Sequence, residues 1–82
     1  VQRDVLAPAG KLGILIANTT KYGPAVHTIR PGSPMEGLMF VNDIIVSIDD
    51  VDTSEYTAEQ ITKLMKETVR EERKITVLSA HR

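Results

Sequence analysis

The sequence contains no cysteine, so it has no disulfide frame, no thiolate zinc site and no cysteine nucleophile. It also lacks an excess of charge of either sign. Ten Lys and Arg stand against eleven Asp and Glu, a net charge of −1. A chain so close to neutrality does not carry the clustered basic surface that holds nucleic acid, and no nucleic-acid partner is expected. No apolar run approaches the roughly 20 residues of a membrane-spanning helix, and no secretory leader opens the chain. There is no internal repeat, low-complexity stretch or dividing linker. The 82 residues, opening on Val1 rather than Met, read as one domain (1–82) cut from a longer protein. The lack of cysteine and leader favours a cytoplasmic setting.

Hydrophobic residues make up 41% of the chain, enough for one modest core. Turn signals at residues 8–10, 23–24, 31–34 and 49–54 separate short apolar segments. Residues 12–17, 25–29, 44–48 and 74–78 are β-branched-rich runs of strand length, with a weaker strand at 2–6. One segment is helical. Thr57 and Gln60 form a capping-box pair, and Ile61, Leu64, Met65 and Thr68 then recur at the spacing of one buried stripe. Pro34 suits the first position of a further short helix. The expected order is β, β, β, short α, β, short β, long α, β: an antiparallel, mainly β domain with a helix packed on it.

The stretch Ala9-Gly10-Lys11-Leu12-Gly13-Ile14-Leu15-Ile16 bears most on function. A glycine inside an apolar strand marks a bulge or a close backbone approach. At Gly13 it would let successive N–H groups point one way, a concavity that binds an anion without a basic side chain. Flanked by Leu12 and Ile14, that concavity is half anion site and half aliphatic pocket.

Lys11-Leu12-Gly13-Ile14 resembles the x-Φ-G-Φ carboxylate-binding loop of PDZ domains. Arg30-Pro31-Gly32-Ser33-Pro34 resembles the family's turn before its short helix. The stretch from Val41 to Asp50 resembles its V-G-D-x-I-V-x-I-N-G segment, residues 57–66 its long groove helix, and residues 75–78 its closing strand. The resemblance implies a five- to six-stranded antiparallel β-sandwich or partly open barrel, capped by one short and one long α-helix. It implies a non-enzymatic interaction module without cofactor or metal, used for scaffolding or signalling. A partner's C-terminal peptide would add as a strand between residues 12–17 and helix 57–69, the mode called β-augmentation. Carried over by position, the N–H groups of Leu12, Gly13 and Ile14 hold the terminal carboxylate. Lys11, Leu15, Ile16, Ala17, Ala58, Thr62, Met65 and Val69 complete the peptide site, whose last ligand residue is aliphatic. A peptide-sensing domain of a larger enzyme such as a protease is the alternative, as is self-association through the 12–17 edge, giving a monomer or weak homodimer.

Four departures from the family pattern carry expectations. Ala58 stands where relatives often have a histidine, so an apolar residue is expected two before the ligand's end. Leu15 replaces a polar residue, for ligand contact or self-association. Ala7, Pro8 and Ala9 occupy the loop's usual basic position, a role that is either missing here or passes to Lys11. Asn42 and Asp50 replace glycines in turns, which both residue types tolerate.

Other motifs reduce to ordinary structure. Asp50, Asp52 and Ser54 start like a calcium loop, but Glu55 and Ile61 occupy its glycine and glutamate positions. His27, His81 and the serines lie in no nucleophile-elbow pattern, and there is no phosphate loop. Lys11, Lys21, Lys63 and Lys66 leave a phosphoinositide or membrane-surface contact as the weaker reading at this net charge.

Overall fold

The computed structural model describes residues 2–79, the side chains of residues 19 and 20 excepted; His81 lies outside them. The described residues form β1 (Gln2–Ala7), β2 (Ile14–Thr20), β3 (Gly23–Ile29), β4 (Ile44–Ile48), β5 (Val51–Asp52), α1 (Ala58–Glu67) and β6 (Arg73–Leu78). All strand pairings are antiparallel, in the order β1-β6-β4-β3-β2, with β5 hanging on β4. The sheet does not close, so β2 keeps one free edge, and α1 packs beside that edge against β2 and β3.

Alternation sets the core on β1 and β6, while on β4 a register shift between Ile45 and Ser47 accompanies two buried positions three residues apart. Val5 and Ala7 of β1, Ile45 and Ile48 of β4, and Ile75 and Val77 of β6 are buried, joined by Leu12, Val26, Met35, Met39 and Ile61. Ile14, Ile16, Leu64 and Met65 lie half-buried at the margin of this cluster.

The helix starts where the capping pair places it. Thr57 Oγ1 accepts from Gln60 N–H (3.2 Å), and Gln60 Oε1 accepts from Thr57 N–H (2.8 Å). The Glu59 carboxyl is held below the usual carboxylate range, first by its own backbone N–H and then by the Thr57 hydroxyl. A depressed carboxyl adds stability above its unfolded pKa, and that stability fades as pH falls through the folded value. Glu59→Gln is therefore expected to lose a small amount of stability at neutral pH and to flatten the acid limb of a thermal-stability profile, the variant and native chain converging as pH falls below about 4.5.

Two turns use left-handed backbone as anticipated. Asn42 has φ 77°, and Asp49 and Asp50 (φ 50° and 67°) make the two-residue connection from β4 to β5 with the positive angles that a type I′ hairpin turn requires. Asp49 Oδ1 accepts from Lys74 N–H (2.8 Å), and the Lys74 ammonium meets Asp50 at 2.7 Å.

Two expectations are corrected. The short helix after Pro34 is absent among the described residues. Leu38 and Met39 N–H both bond to Met35 O, but Gly37 at φ 80° breaks the helical path after a single turn. Strand β2 begins at Ile14 rather than Leu12, because Gly13 at φ 66° cannot belong to an extended strand.

Candidate functional site

A groove with a cavity volume of about 550 Å³ runs between β2 and α1. Its floor and walls are Leu12, Gly13, Ile14 and Ile16 on the strand side and Thr62, Met65 and Val69 on the helix side. Leu12 is buried and belongs to both core and groove. Met65, half-buried against the core, does the same from the helix, a position suited to its flexible thioether.

The loop that closes the groove has its carbonyls turned away from it. Ser33 Oγ donates to Leu12 O and accepts from Met35 N–H (3.0 Å). Gly13 O accepts from Arg30 N–H at 2.9 Å. In a trans peptide the C=O and the following N–H point in opposite directions, and no peptide bond is cis among the described residues. The N–H groups of Gly13 and Ile14 are therefore directed away from Ser33 and Arg30, toward the free side of the β2 edge. Successive backbone donors turned to the same side are an arrangement able to receive an anion. Ser33→Ala removes the clamp on Leu12 O and leaves that half-buried oxygen unpaired. It is expected to cost roughly 1–2 kcal/mol of stability in denaturant melts.

Each end of the groove is tied across. Gly10 N–H bonds to Val69 O (2.6 Å) at the loop end, and Ala58 N–H bonds to Asn18 Oδ1 (2.8 Å) at the helix start. Of the expected site residues, Lys11, Leu12, Gly13, Ile14, Ile16, Thr62, Met65 and Val69 line the cavity. Leu15, Ala17 and Ala58 lie outside the lining. Leu15 is 46% exposed on β2, Ala17 pairs with Ala25 of β3, and Ala58 is buried at 5% exposure under the Asn18 bond.

Four residues complete the lining that the sequence reading did not assign: Gly10, Arg30, Lys66 and Arg73. With Lys11, the groove is bordered by four cations and no carboxylate. Among the described residues the ion pairs are Arg3–Asp43 and Lys74–Asp50, so none of the four is committed to one. Period-two alternation was the signal for Arg73. Counting back from the buried Val77 and Ile75 puts residue 73 on the inner face.

Outside the groove, His27 is exposed on β3, its Nδ1 2.8 Å from the Thr28 hydroxyl. No group of three His, Asp or Glu side chains is placed to hold a metal ion among the described residues. No helix among them is long and apolar enough to cross a membrane.

The PDZ domain family model matches residues 3–78. Among solved structures, the PDZ domain of a choanoflagellate GIPC, bound to GAIP peptide, superposes with a TM-score of 0.88 at 18% identity, covering 100% of this chain and 94% of that one. The INAD PDZ3 domain in complex with a TRP channel tail gives 0.82 at 21% identity, over 95% and 86% of the two chains. The mouse Rhophilin-2 PDZ domain gives 0.79 at 28% identity, over 95% and 71%. No curated protein matches the sequence significantly.

Proposed function

This chain belongs to the PDZ family, a family of peptide-binding interaction modules, and from that premise we propose that it recruits partner proteins by their C-terminal ends. The carrying observation is the pairing of outward-directed Gly13 and Ile14 N–H groups with an aliphatic groove at a free strand edge. A ligand strand would pair with β2 through main-chain bonds. Its terminal carboxylate would sit at the loop amides, and its last side chain would rest among Leu12, Ile14, Ile16 and Met65.

The ties at Gly10–Val69 and Asn18–Ala58 bound the ligand's length. From Ile14 to Asn18 is four residues of strand, about 13 Å at the usual rise. The site therefore takes about four ligand residues, and extending a bound peptide from four residues to eight is expected to change its affinity less than about threefold. A titration series by fluorescence polarisation checks this. One strand's worth of bonds and one pocket supports affinity near micromolar, about −8 kcal/mol.

Selectivity follows from Ala58. Its methyl group has no polar atom, and its N–H is already taken by Asn18. A ligand residue two before the end gains nothing there from a hydroxyl, so peptides ending Val-x-Val should bind at least as tightly as those ending Thr-x-Val. A clear preference for threonine would discard this reading of Ala58. The function itself is tested by panning a random library displayed with free C-termini. Enrichment of a terminal Val, Ile or Leu supports it. Enrichment of internal sequences with no terminal consensus would refute it.

A further inference from the structure

Arg73 is 1% exposed, yet it carries a full charge and borders the groove. All five guanidinium N–H groups are engaged. Nε donates to Thr68 Oγ1 (3.1 Å), one terminal nitrogen to Pro8 O (2.9 Å) and Gly10 O (3.3 Å), and the other to Met65 O (2.9 Å) and Gly10 O (3.4 Å). Every acceptor is an uncharged carbonyl or hydroxyl. The hydrogen bonds are satisfied, but among the described residues no carboxylate lies within ion-pair distance of the positive charge. A buried charge ordinarily has a counter-ion.

The placement has a further consequence. The loop that carries these amides is tied at Gly10 N–H to Val69 O, just past the C-terminal end of α1, and the amides and that helix end border the same groove. The C-terminal end of a helix is the negative end of its dipole and disfavours an anion. The Arg73 guanidinium is bonded to Met65 O and Thr68 Oγ1 of that helix end, so it offsets the dipole where a carboxylate would otherwise be repelled. Residues 7–9, Ala-Pro-Ala, bring no charge to the start of the loop. Lys11, Arg30 and Lys66 are exposed, and exposed charges are screened by salt.

We infer that Arg73 is the positioning residue that makes this groove prefer a free terminal carboxylate: a buried cation reaching the site from β6, whose counter-ion is the bound peptide's own terminus. The inference rests on the C-terminal-peptide reading above. Arg73 does not contact the ligand through a spare N–H, since none remains. It acts through its charge and through the backbone it holds.

The test uses the full 82-residue chain and two peptides ending Val-Ala-Val, one with a free carboxylate and one amidated. The ratio of the two affinities is the readout, because a merely structural role for Arg73 would weaken both peptides alike. In the native chain the ratio should be large and should persist at 0.5 M NaCl. Arg73→Met should reduce it about tenfold, equivalent to ~1.4 kcal/mol, and make what remains sensitive to salt. Arg73→Lys, which keeps the charge, should hold the ratio within about threefold. A native ratio near one would overturn the peptide reading itself, and the role of Arg73 with it. A native preference that Arg73→Met leaves intact, or that Arg73→Lys loses as fully as Arg73→Met, would overturn the inference alone. Should neither variant fold, the native chain decides. The Arg73 Nε–H resonance should move when the carboxylate peptide is added and stay in place with the amide. Equal behaviour with both peptides would refute the charge role.

Discussion

Gly13→Val is expected to lower affinity for C-terminal peptides by about a hundredfold or more, while the domain still folds. Gly13 has φ 66°, which strains any L side chain, and a Cβ there would already lie 3.4 Å from Ser33 Cβ, at the close end of van der Waals contact. A left-handed conformation costs an ordinary L-residue roughly 1–2 kcal/mol, and the γ-methyl groups of valine press further into Ser33. The backbone escapes by rotating toward extended angles. That rotation turns the peptide units on both sides of residue 13, so the Gly13 and Ile14 N–H groups swing away from the groove. Stability should fall by only about 1–3 kcal/mol, because the loop lies at the end of a strand. Calorimetric titration alongside a thermal melt separates the two effects. Near-native affinity in a folded Gly13→Val chain would mean that these amides do not hold the ligand.

A larger loss of stability is expected from Gly23→Ala. Gly23 opens β3 at φ 123°, and an added Cβ would meet Ser54 O at 2.8 Å, with Ser54 C and Cα at 3.5 and 3.6 Å. All three are backbone atoms, so no side chain can rotate out of the way. Ser54 belongs to the turn between β5 and α1, held by Asp52 Oδ1 accepting from both its N–H (2.9 Å) and its hydroxyl (2.7 Å). Either that turn is displaced, and the start of the helix with it, or β3 loses its first residues. Strain and lost packing together should cost about 2–4 kcal/mol, which lowers the melting temperature of a domain this small by roughly 10–25 °C. Gly32→Ala is the comparison, since φ is also positive (81°) but nothing lies within 4 Å of the added atom. A Gly23→Ala chain no less stable than Gly32→Ala would contradict the close approach of the two backbones.

Much of this was legible in the residues because it depends on local rules. Short β-branched runs between turn signals place β4 and β6, and a Thr57–Gln60 pair three residues apart is itself a cap. The apolar spacing of α1 puts Ile61 and Met65 on its buried stripe, and in the structure Ile61 lies in the core and Met65 at its margin, lining the groove. What escaped depends on geometry between distant segments. The proline-led turn stops short of a helix because Gly37 takes a left-handed angle, and glycine composition alone does not say which sign φ will have. The Asn18 bond to Ala58 joins residues forty apart in sequence. Arg73 lies one residue before the strand expected at 74–78, and charged residues seldom lie inside. The alternation of β6 placed it inward all the same, and the carbonyls that surround it come from a loop and a helix end more than sixty and about eight residues away.

The buried polar knot at the other end of the sheet shows the same dependence. Asp43 accepts from Arg3 (3.2 Å), Phe40 N–H (2.9 Å) and the Ser79 hydroxyl (2.8 Å), linking β1, the approach to β4 and the residue after β6. Its role is to fix the sheet on which β2 is presented, and no local pattern announces it.

The most direct measurement is a 15N-resolved NMR titration of the native chain with a peptide ending in a free Val and with its C-terminal amide. With the free acid, the Gly13 and Ile14 amide protons should show the largest downfield shifts in the spectrum. Smaller changes should spread along Ile16 and the Met65 face of the helix, and the amide should leave the loop signals close to their starting positions. Loop signals that stay put with the free acid, or that move equally with both peptides, would contradict the account.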